Sequence, residues 1–387
     1  MQIKEVDAKA IKDSRGEKTI QVSIKTTVGK FSASAPTGKS TGKFEAKTYK
    51  KSLEDDIKAV KDFKDYFTEE YLEKFDDLRR IEDIIEKHVG ANTVIALEFA
   101  ALKAIAKEQK KEVWQIINPE AKKFPRLVGN SVGGGKHSSG IDGKKPDFQE
   151  FLLIPNKKTV KENFELNKKI RLEIADKIRE KEKKFDKKVS DEKGWLTALN
   201  EKEILDILRT FDIDLGVDIA ASSFYKRKKY KYENPKLDRI SEEQIGYLSN
   251  LIKNYNLFYI EDPFGEEEFE DFSKLLTKFP NSLIVGDDLT VTNLKRLEKA
   301  IEMNSINAII IKPNQNGSLI KVKEVVELAK KNDIKTVFSH RSGETEEDIL
   351  ADLAFGFEAD FLKCGITGKE REAKIKRLIE IEKKLKK

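Results

Sequence analysis

The second half of this chain holds six short apolar runs, each closed by a polar or charged residue. They are Leu215-Gly-Val-Asp218, Leu257-Phe-Tyr-Ile-Glu261, Leu283-Ile-Val-Gly-Asp287, Ala308-Ile-Ile-Ile-Lys312, Thr336-Val-Phe-Ser-His340 and Phe361-Leu-Lys363. The closing residues lie 43, 26, 25, 28 and 23 positions apart. One strand, one helix and two short loops take about 25 residues. Amphipathic helical stretches fill the intervals, so the spacing predicts repeated βα units. Closing such units into a barrel brings every strand C-terminus to one face. Six polar side chains then meet at one mouth.

What those side chains are decides the chemistry. Asp218, Glu261 and Asp287 close three successive runs. A single acid of this kind is commonly a loop residue near a helix N-terminus. Three in register repel one another unless a divalent cation neutralises them, which predicts an oxygen-ligated Mg2+ site. Lys312 follows Ile309-Ile310-Ile311, so its amine is expected to be dehydrated, to lose proton affinity and to serve as a general base. Lys363 holds the equivalent place on the last run. Arg341 and Ser342 offer a fork of donors and a hydroxyl, suited to a phosphate or carboxylate.

The first half reads differently. Ile20, Val22 and Ile24 alternate with polar neighbours, and a turn at Val28-Gly29-Lys30 leads into Phe31 and Ala33. Helical patterning then runs to about Ile117, most clearly over Val94–Ala106, and Pro119–Pro125 reads as a linker. An α+β domain over residues 1–122 and a barrel domain over 123–387 are expected. Gly38-Lys39-Ser40 suggests a nucleotide-phosphate loop, but Ala33 stands where its first glycine belongs. Thr41-Gly42 also interrupts any helix start. A mobile loop whose Ser40 can ligate metal accounts for the segment better.

Composition narrows the function classes. The chain has 387 residues, 38% apolar and 37% charged, with 22 Phe, so a packed core is expected despite the charge. Lys+Arg 75 against Asp+Glu 69 is too balanced and intermixed for a nucleic-acid protein. The single cysteine, Cys364, excludes an intramolecular disulfide and a cysteine-based zinc site, and three histidines argue against a histidine-only metal site. With no apolar run long enough for a membrane span, a cytoplasmic protein is expected.

Several segments together resemble the enolase family (phosphopyruvate hydratase), in the family's order and over nearly the whole chain. They are Asp13-Ser14-Arg15-Gly16, Thr37-Gly-Lys-Ser-Thr-Gly-Lys-Phe-Glu-Ala46, Gln149-Glu150-Phe151 and Leu215-Gly-Val-Asp218 with Ala221-Ser222-Ser223. Ile260-Glu261-Asp262-Pro263-Phe264, Gly286-Asp-Asp-Leu-Thr-Val-Thr-Asn293 and Ser339-His-Arg-Ser-Gly-Glu-Thr-Glu346 complete the set.

The resemblance implies an α/β architecture: a modified (β/α)8 barrel, not all parallel, preceded by a smaller α+β domain. It implies interconversion of 2-phosphoglycerate and phosphoenolpyruvate with two Mg2+ per site. Asp218, Glu261 and Asp287 resemble ligands of the first ion, and Ser40 a ligand of the second. Lys312 resembles the base at carbon 2, and Lys363 a carboxylate contact. Arg341 and Ser342 resemble phosphate contacts. Glu192 resembles the general acid, helped by Gln149 or Glu150, and His137 the lid histidine. Homodimers or larger homo-oligomers are usual in the family. The chain departs from the pattern at Gly133-Gly134-Gly135-Lys136-His137 and Asp191-Glu192-Lys193-Gly194, and is somewhat short. Another acid dehydratase of the same superfamily, or a non-catalytic relative acting as a scaffold, remains an alternative reading.

Overall fold

The computed structural model describes residues 1–39, 42–68, 70–138 and 143–386. The chain opens as an antiparallel meander of β1 (Ile3–Lys12), β2 (Lys18–Thr26) and β3 (Gly29–Ser34). Strand alternation buries Val6, Ala8, Ile20, Val22 and Ile24 on one face of that sheet. The helix Ala91–Glu108 covers this face and is buried on almost every side. Its other side meets the barrel, where Glu98 accepts the Leu319 amide at 2.9 Å and Asn314 donates to Asn92 at 3.0 Å. A helix apolar nearly all round suits that position between two layers.

The barrel strands are β4 (Arg126–Gly133), β5 (Glu150–Ile154), β7 (Asp214–Asp218), β11 (Leu257–Glu261), β12 (Leu283–Gly286), β13 (Ala308–Ile311), β14 (Lys335–Ser339) and β15 (Phe361–Lys363). They neighbour one another in that order, and β15 pairs with β4 to close the cylinder. Only β5 runs antiparallel to its neighbours, so the sheet is not all parallel, as the resemblance implied. Two helices in succession, Val160–Lys181 and Glu201–Leu208, follow β5 before the regular βα alternation begins. The short β6 (Trp195–Leu196) lies parallel beside β4. The interval of 43 residues between Asp218 and Glu261 is long because a small ribbon is inserted there. Its strands are β8 (Tyr225–Lys226), β9 (Lys229–Glu233) and β10 (Lys236–Arg239).

A plug of apolar side chains fills the barrel: Val128, Leu152, Ile154, Tyr259, Leu283, Val285, Ala308, Ile310, Val337 and Phe361. Strand side chains repeat every two residues, so the next inward position on each strand, with Gly216 at the plug level of β7, lies directly above the plug. Those positions hold Asn130, Glu150, Asp218, Glu261, Asp287, Lys312, Ser339 and Lys363. The mouth chemistry is therefore the layer that follows the last apolar one. On β14 that layer falls on Ser339, and His340 comes one residue later, in the loop.

Candidate active site

The reversal of β5 places its first residue at the mouth, where Glu150 pairs in register with Asp218, the last residue of β7. Lys363 at the end of β15 lies among them. Its amine is 2.8 Å from Asp218 Oδ2, 2.8 Å from Glu261 Oε2 and 3.2 Å from Glu150 Oε2. Burial pulls this amine down, but the carboxylates of Asp218, Glu150 and Glu261 outweigh it and hold it well above the ordinary lysine value. Glu261 goes the other way: burial, then Asp218, push its carboxyl well up, and Asp287 adds to the effect. Its Oε2 also accepts the Tyr259 hydroxyl at 2.7 Å. Asp218, Glu261 and Asp287 thus form one electrostatic cluster.

Lys312 forms a close ion pair with Asp287 Oδ2, and Gln315 Nε2 donates to Asp287 Oδ1 at 3.0 Å. Burial lowers the Lys312 amine, yet Asp287 and Glu261 together outweigh it and the net direction is upward. This corrects the sequence expectation of reduced proton affinity: a dehydrated lysine keeps its proton when a carboxylate faces it.

A second chain of buried groups continues from Glu150. His137 Nδ1 lies 3.6 Å from Glu150 Oε1 and 3.8 Å from Glu192 Oε1. His340 Nε2 lies 3.2 Å from Glu192 Oε2. Burial and Glu192 push the Glu150 carboxyl up to about 7. Burial acts the same way on Glu192, but the His340 and His137 imidazoles and the proton on Glu150 outweigh it, holding Glu192 well below the usual range.

The far end of the cleft is basic. Arg341 and Ser342 both line it, and Ser342 Oγ accepts the Lys39 amide at 2.8 Å and Arg15 Nη1 at 3.2 Å. Lys39 Nζ reaches Asp191 at 2.6 Å, joining the segment before residue 40 to the loop that carries Glu192. A Cβ on Gly38 would stand 2.0 Å from Arg341 Nη2, so only glycine permits this approach. Ser40 itself lies outside the described residues.

The Glu192 loop shows how the altered segment is accommodated. Lys193 has φ +65°, the left-handed conformation that glycine adopts more readily. Arg171 donates to the Lys193 carbonyl from Nε at 3.2 Å and Nη2 at 2.7 Å, and its guanidinium lies 3.7 Å from the Trp195 ring centre. A Cβ on Gly194 would stand 2.7 Å from both Asn130 Oδ1 and the Gly133 amide. The retained glycine is the one that close approach requires.

One barrel mouth thus holds a cluster of acids, two amines and the Arg341–Ser342 pair. Residues 3–117 match the family model described as "Enolase, N-terminal domain", and residues 121–387 match "Enolase, C-terminal TIM barrel domain". The chain belongs to the enolase family of hydro-lyases. It is 36% identical to a protein named enolase from Methanosphaera stadtmanae, covering 99% of this chain and 97% of the relative. The enolase of Pyrobaculum aerophilum is 34% identical over 98% and 96% of the two chains, and that of Saccharolobus solfataricus 36% over 99% and 96%.

Enolases imply a divalent metal, and the residues present fit one. Among the described residues Glu261 Oε1 is buried without a hydrogen-bond partner, with two further carboxylates close by, a donor set suited to a hard cation. Asp262, Asp287 and Asp288 also offer oxygens within 4.8 Å of one another. Both Asp262 oxygens are already engaged, accepting the Asp287 amide at 3.0 Å and the Asp288 amide at 2.7 Å. Asp262 therefore sets the turn that aims Asp287.

All the site residues expected from sequence within the described chain line this cleft or, like Glu261, sit directly against it. Sequence reasoning missed Asp262, Asp288, Glu45, Gln315 and Tyr259. The first three lie inside segments already singled out, where their charge was the available signal. Gln315 and Tyr259 carried none. No helix among the described residues is long and apolar enough to cross a membrane.

Proposed function

We propose that this protein interconverts 2-phosphoglycerate and phosphoenolpyruvate plus water, using Mg2+, at the barrel mouth. The observation that carries the reading is the placement of the Lys312 and Lys363 amines among Glu150, Asp218, Glu261 and Asp287, with Arg341 and Ser342 lining the same cleft. That basic end suits a phosphate and favours this substrate over an unphosphorylated sugar acid.

A proton next to a carboxylate is a weak acid because its loss builds a second negative charge on the same group. Bound Mg2+, two ions in this reading, would supply positive charge beside that carboxylate and stabilise the second charge. Asp218, Glu261 and Asp287 are the residues that would hold the first ion, and Ser40 would join the second. Lys363 would hold the substrate carboxylate oxygens once its acid neighbours engage the cation. Lys312 takes the carbon-2 proton, which requires Asp287 to engage another positive charge so that the amine loses its partner. Glu192 then protonates the departing carbon-3 hydroxyl, drawing its proton from Glu150. Gln149 assists Glu192, and His137 closes over the substrate. We place the domain boundary between residues 122 and 123, within a segment that has neither helix nor strand.

Purified protein with 2-phosphoglycerate should develop the ultraviolet absorbance of the enol product with Mg2+ and not with EDTA. Lys312→Ala should abolish it. Turnover that survives the chelator, or an unimpaired Lys312→Ala variant, contradicts the proposal.

A further inference from the structure

Arg371, in the first turn of the helix Lys369–Leu385, is fully buried. Its guanidinium donates from Nη1 to the Arg341 carbonyl at 3.0 Å, and from Nη2 to the carbonyls of Ser342 at 2.9 Å and Asp191 at 3.2 Å. Nη1 is also in close contact with His340 Nδ1. Its nearest carboxylate oxygen among the described residues, Glu370 Oε1, is 3.9 Å from Nε. A buried guanidinium spent mainly on backbone carbonyls and one imidazole nitrogen is unusual, because such a charge generally faces an acid.

A guanidinium has only donors. The ring nitrogen it meets must therefore offer a lone pair, which leaves the other nitrogen to carry the hydrogen. That other nitrogen, Nε2, is the one 3.2 Å from Glu192 Oε2. We propose that Arg371 is a positioning residue that locks His340 as the neutral Nε2–H tautomer, so that His340 turns an N–H toward Glu192 and cannot accept from it. A proton on Glu192 then has no exit through His340 and can leave only toward Glu150, His137 or the cleft. The charged groups facing His340 are Arg371, Glu192 and Glu344; burial chiefly, with Arg371 assisting, brings its imidazole down to about 4 despite the two acids. The functional consequence rests on the reading of Glu192 as the acid, whereas the tautomer itself does not.

The chain has three histidines, so selective 15N-histidine labelling gives an assignable spectrum. Long-range proton–nitrogen correlation should show His340 neutral with hydrogen on Nε2 and unchanged between about pH 6 and pH 8, a range spanning the ordinary histidine value. In Arg371→Met the tautomers should mix or the ring should titrate. Should that variant fail to fold, His340→Gln keeps the proposal testable, since an amide presents an acceptor to Arg371 and a donor to Glu192. It should retain turnover within about tenfold, while His340→Ala should lose about a hundredfold or more. An Nδ1–H or doubly protonated His340 signal near pH 7, an Arg371→Met spectrum identical to the parent, or equal losses in the Gln and Ala variants would each overturn the assignment. Full dehydration activity in Glu192→Gln would remove the acid reading and leave the tautomer standing.

Discussion

Arg341 and Glu45 face each other across a multiple contact: Nη1 and Nη2 each lie 3.0 Å from Oε2, and Nη2 lies 3.2 Å from Oε1. Both side chains are buried. Glu45 Oε1 also accepts the Gly42 amide at 2.9 Å and Gln315 Nε2 at 3.3 Å, and Gln315 in turn holds Asp287. One carboxylate thereby fixes the orientation of the guanidinium, the start of the loop and a neighbour of the acid cluster. A buried pair of this kind adds little net stability but fixes geometry well.

Under the proposed assignment, Arg341→Lys replaces an oriented fork with a point charge. The loss of one charged hydrogen bond to phosphate, about 1.5–3 kcal/mol, raises KM for 2-phosphoglycerate roughly tenfold to a hundredfold. Steady-state kinetics with an unfolding curve as control would check this. An unchanged KM would remove Arg341 from the phosphate end. Gly38→Ala should weaken substrate binding in the same direction, because its Cβ would displace the same guanidinium.

Metal binding should be visible without turnover. A cation that binds the folded acid cluster and not the unfolded chain adds about 2.7 kcal/mol of stability at a hundredfold excess over its Kd. Mg2+ titrated into chelator-treated protein should therefore raise the thermal midpoint, and Glu261→Gln should abolish most of that rise. A midpoint indifferent to Mg2+ in the parent protein would show that the carboxylates surround only lysine amines.

The sequence carried the barrel because each strand ends where the apolar plug ends. The first polar inward residue marks the mouth on β7, β11, β12, β13 and β15. The same rule was blind to Glu150, which precedes its apolar run because β5 is reversed. It also named His340 where the inward position belongs to Ser339, since a run's last residue need not share the parity of the lining. The direction of the Lys312 shift was not legible, because it depends on Asp287 being brought against an amine 25 positions away. The links from Glu45 to Arg341 and from Arg371 to His340 join segments whose proximity only the fold creates.

Lys193 tests how well the altered loop is tolerated. A non-glycine residue in the left-handed region costs roughly 1–2 kcal/mol, and glycine gives back about 0.5–1 kcal/mol of this through its greater unfolded entropy. Lys193→Gly should stabilise the protein by about 0.5–1 kcal/mol, read from the urea midpoint. The Arg171 bonds should survive, because they end on the backbone carbonyl. A destabilised variant would mean that the lysine side chain itself contributes to the loop.

Glu201 makes stability depend on pH away from the mouth. It opens the helix Glu201–Leu208 after the cap Asn200, and its Oε1 accepts the Asp147 amide at 2.6 Å. Burial, with Asp147 adding to it, pushes the carboxyl from 4.5 to about 7. The folded value lies above the unfolded one, so between about pH 4.5 and 7 the native state keeps a proton that the unfolded chain has released. Stability contributed by this group is complete at low pH and falls as pH rises through that window. At 1.36 kcal/mol per unit the full effect is about 3 kcal/mol, an upper figure because neighbours relax. Glu201→Gln keeps the shape and the acceptor for the Asp147 amide without the charge. At pH 8 it should be more stable than the parent by roughly 1–3 kcal/mol, and at pH 5 the two should agree within about 1 kcal/mol. Urea unfolding at both values measures the difference. Parallel stability curves across the window would show that Glu201 ionises in the folded protein as easily as in water.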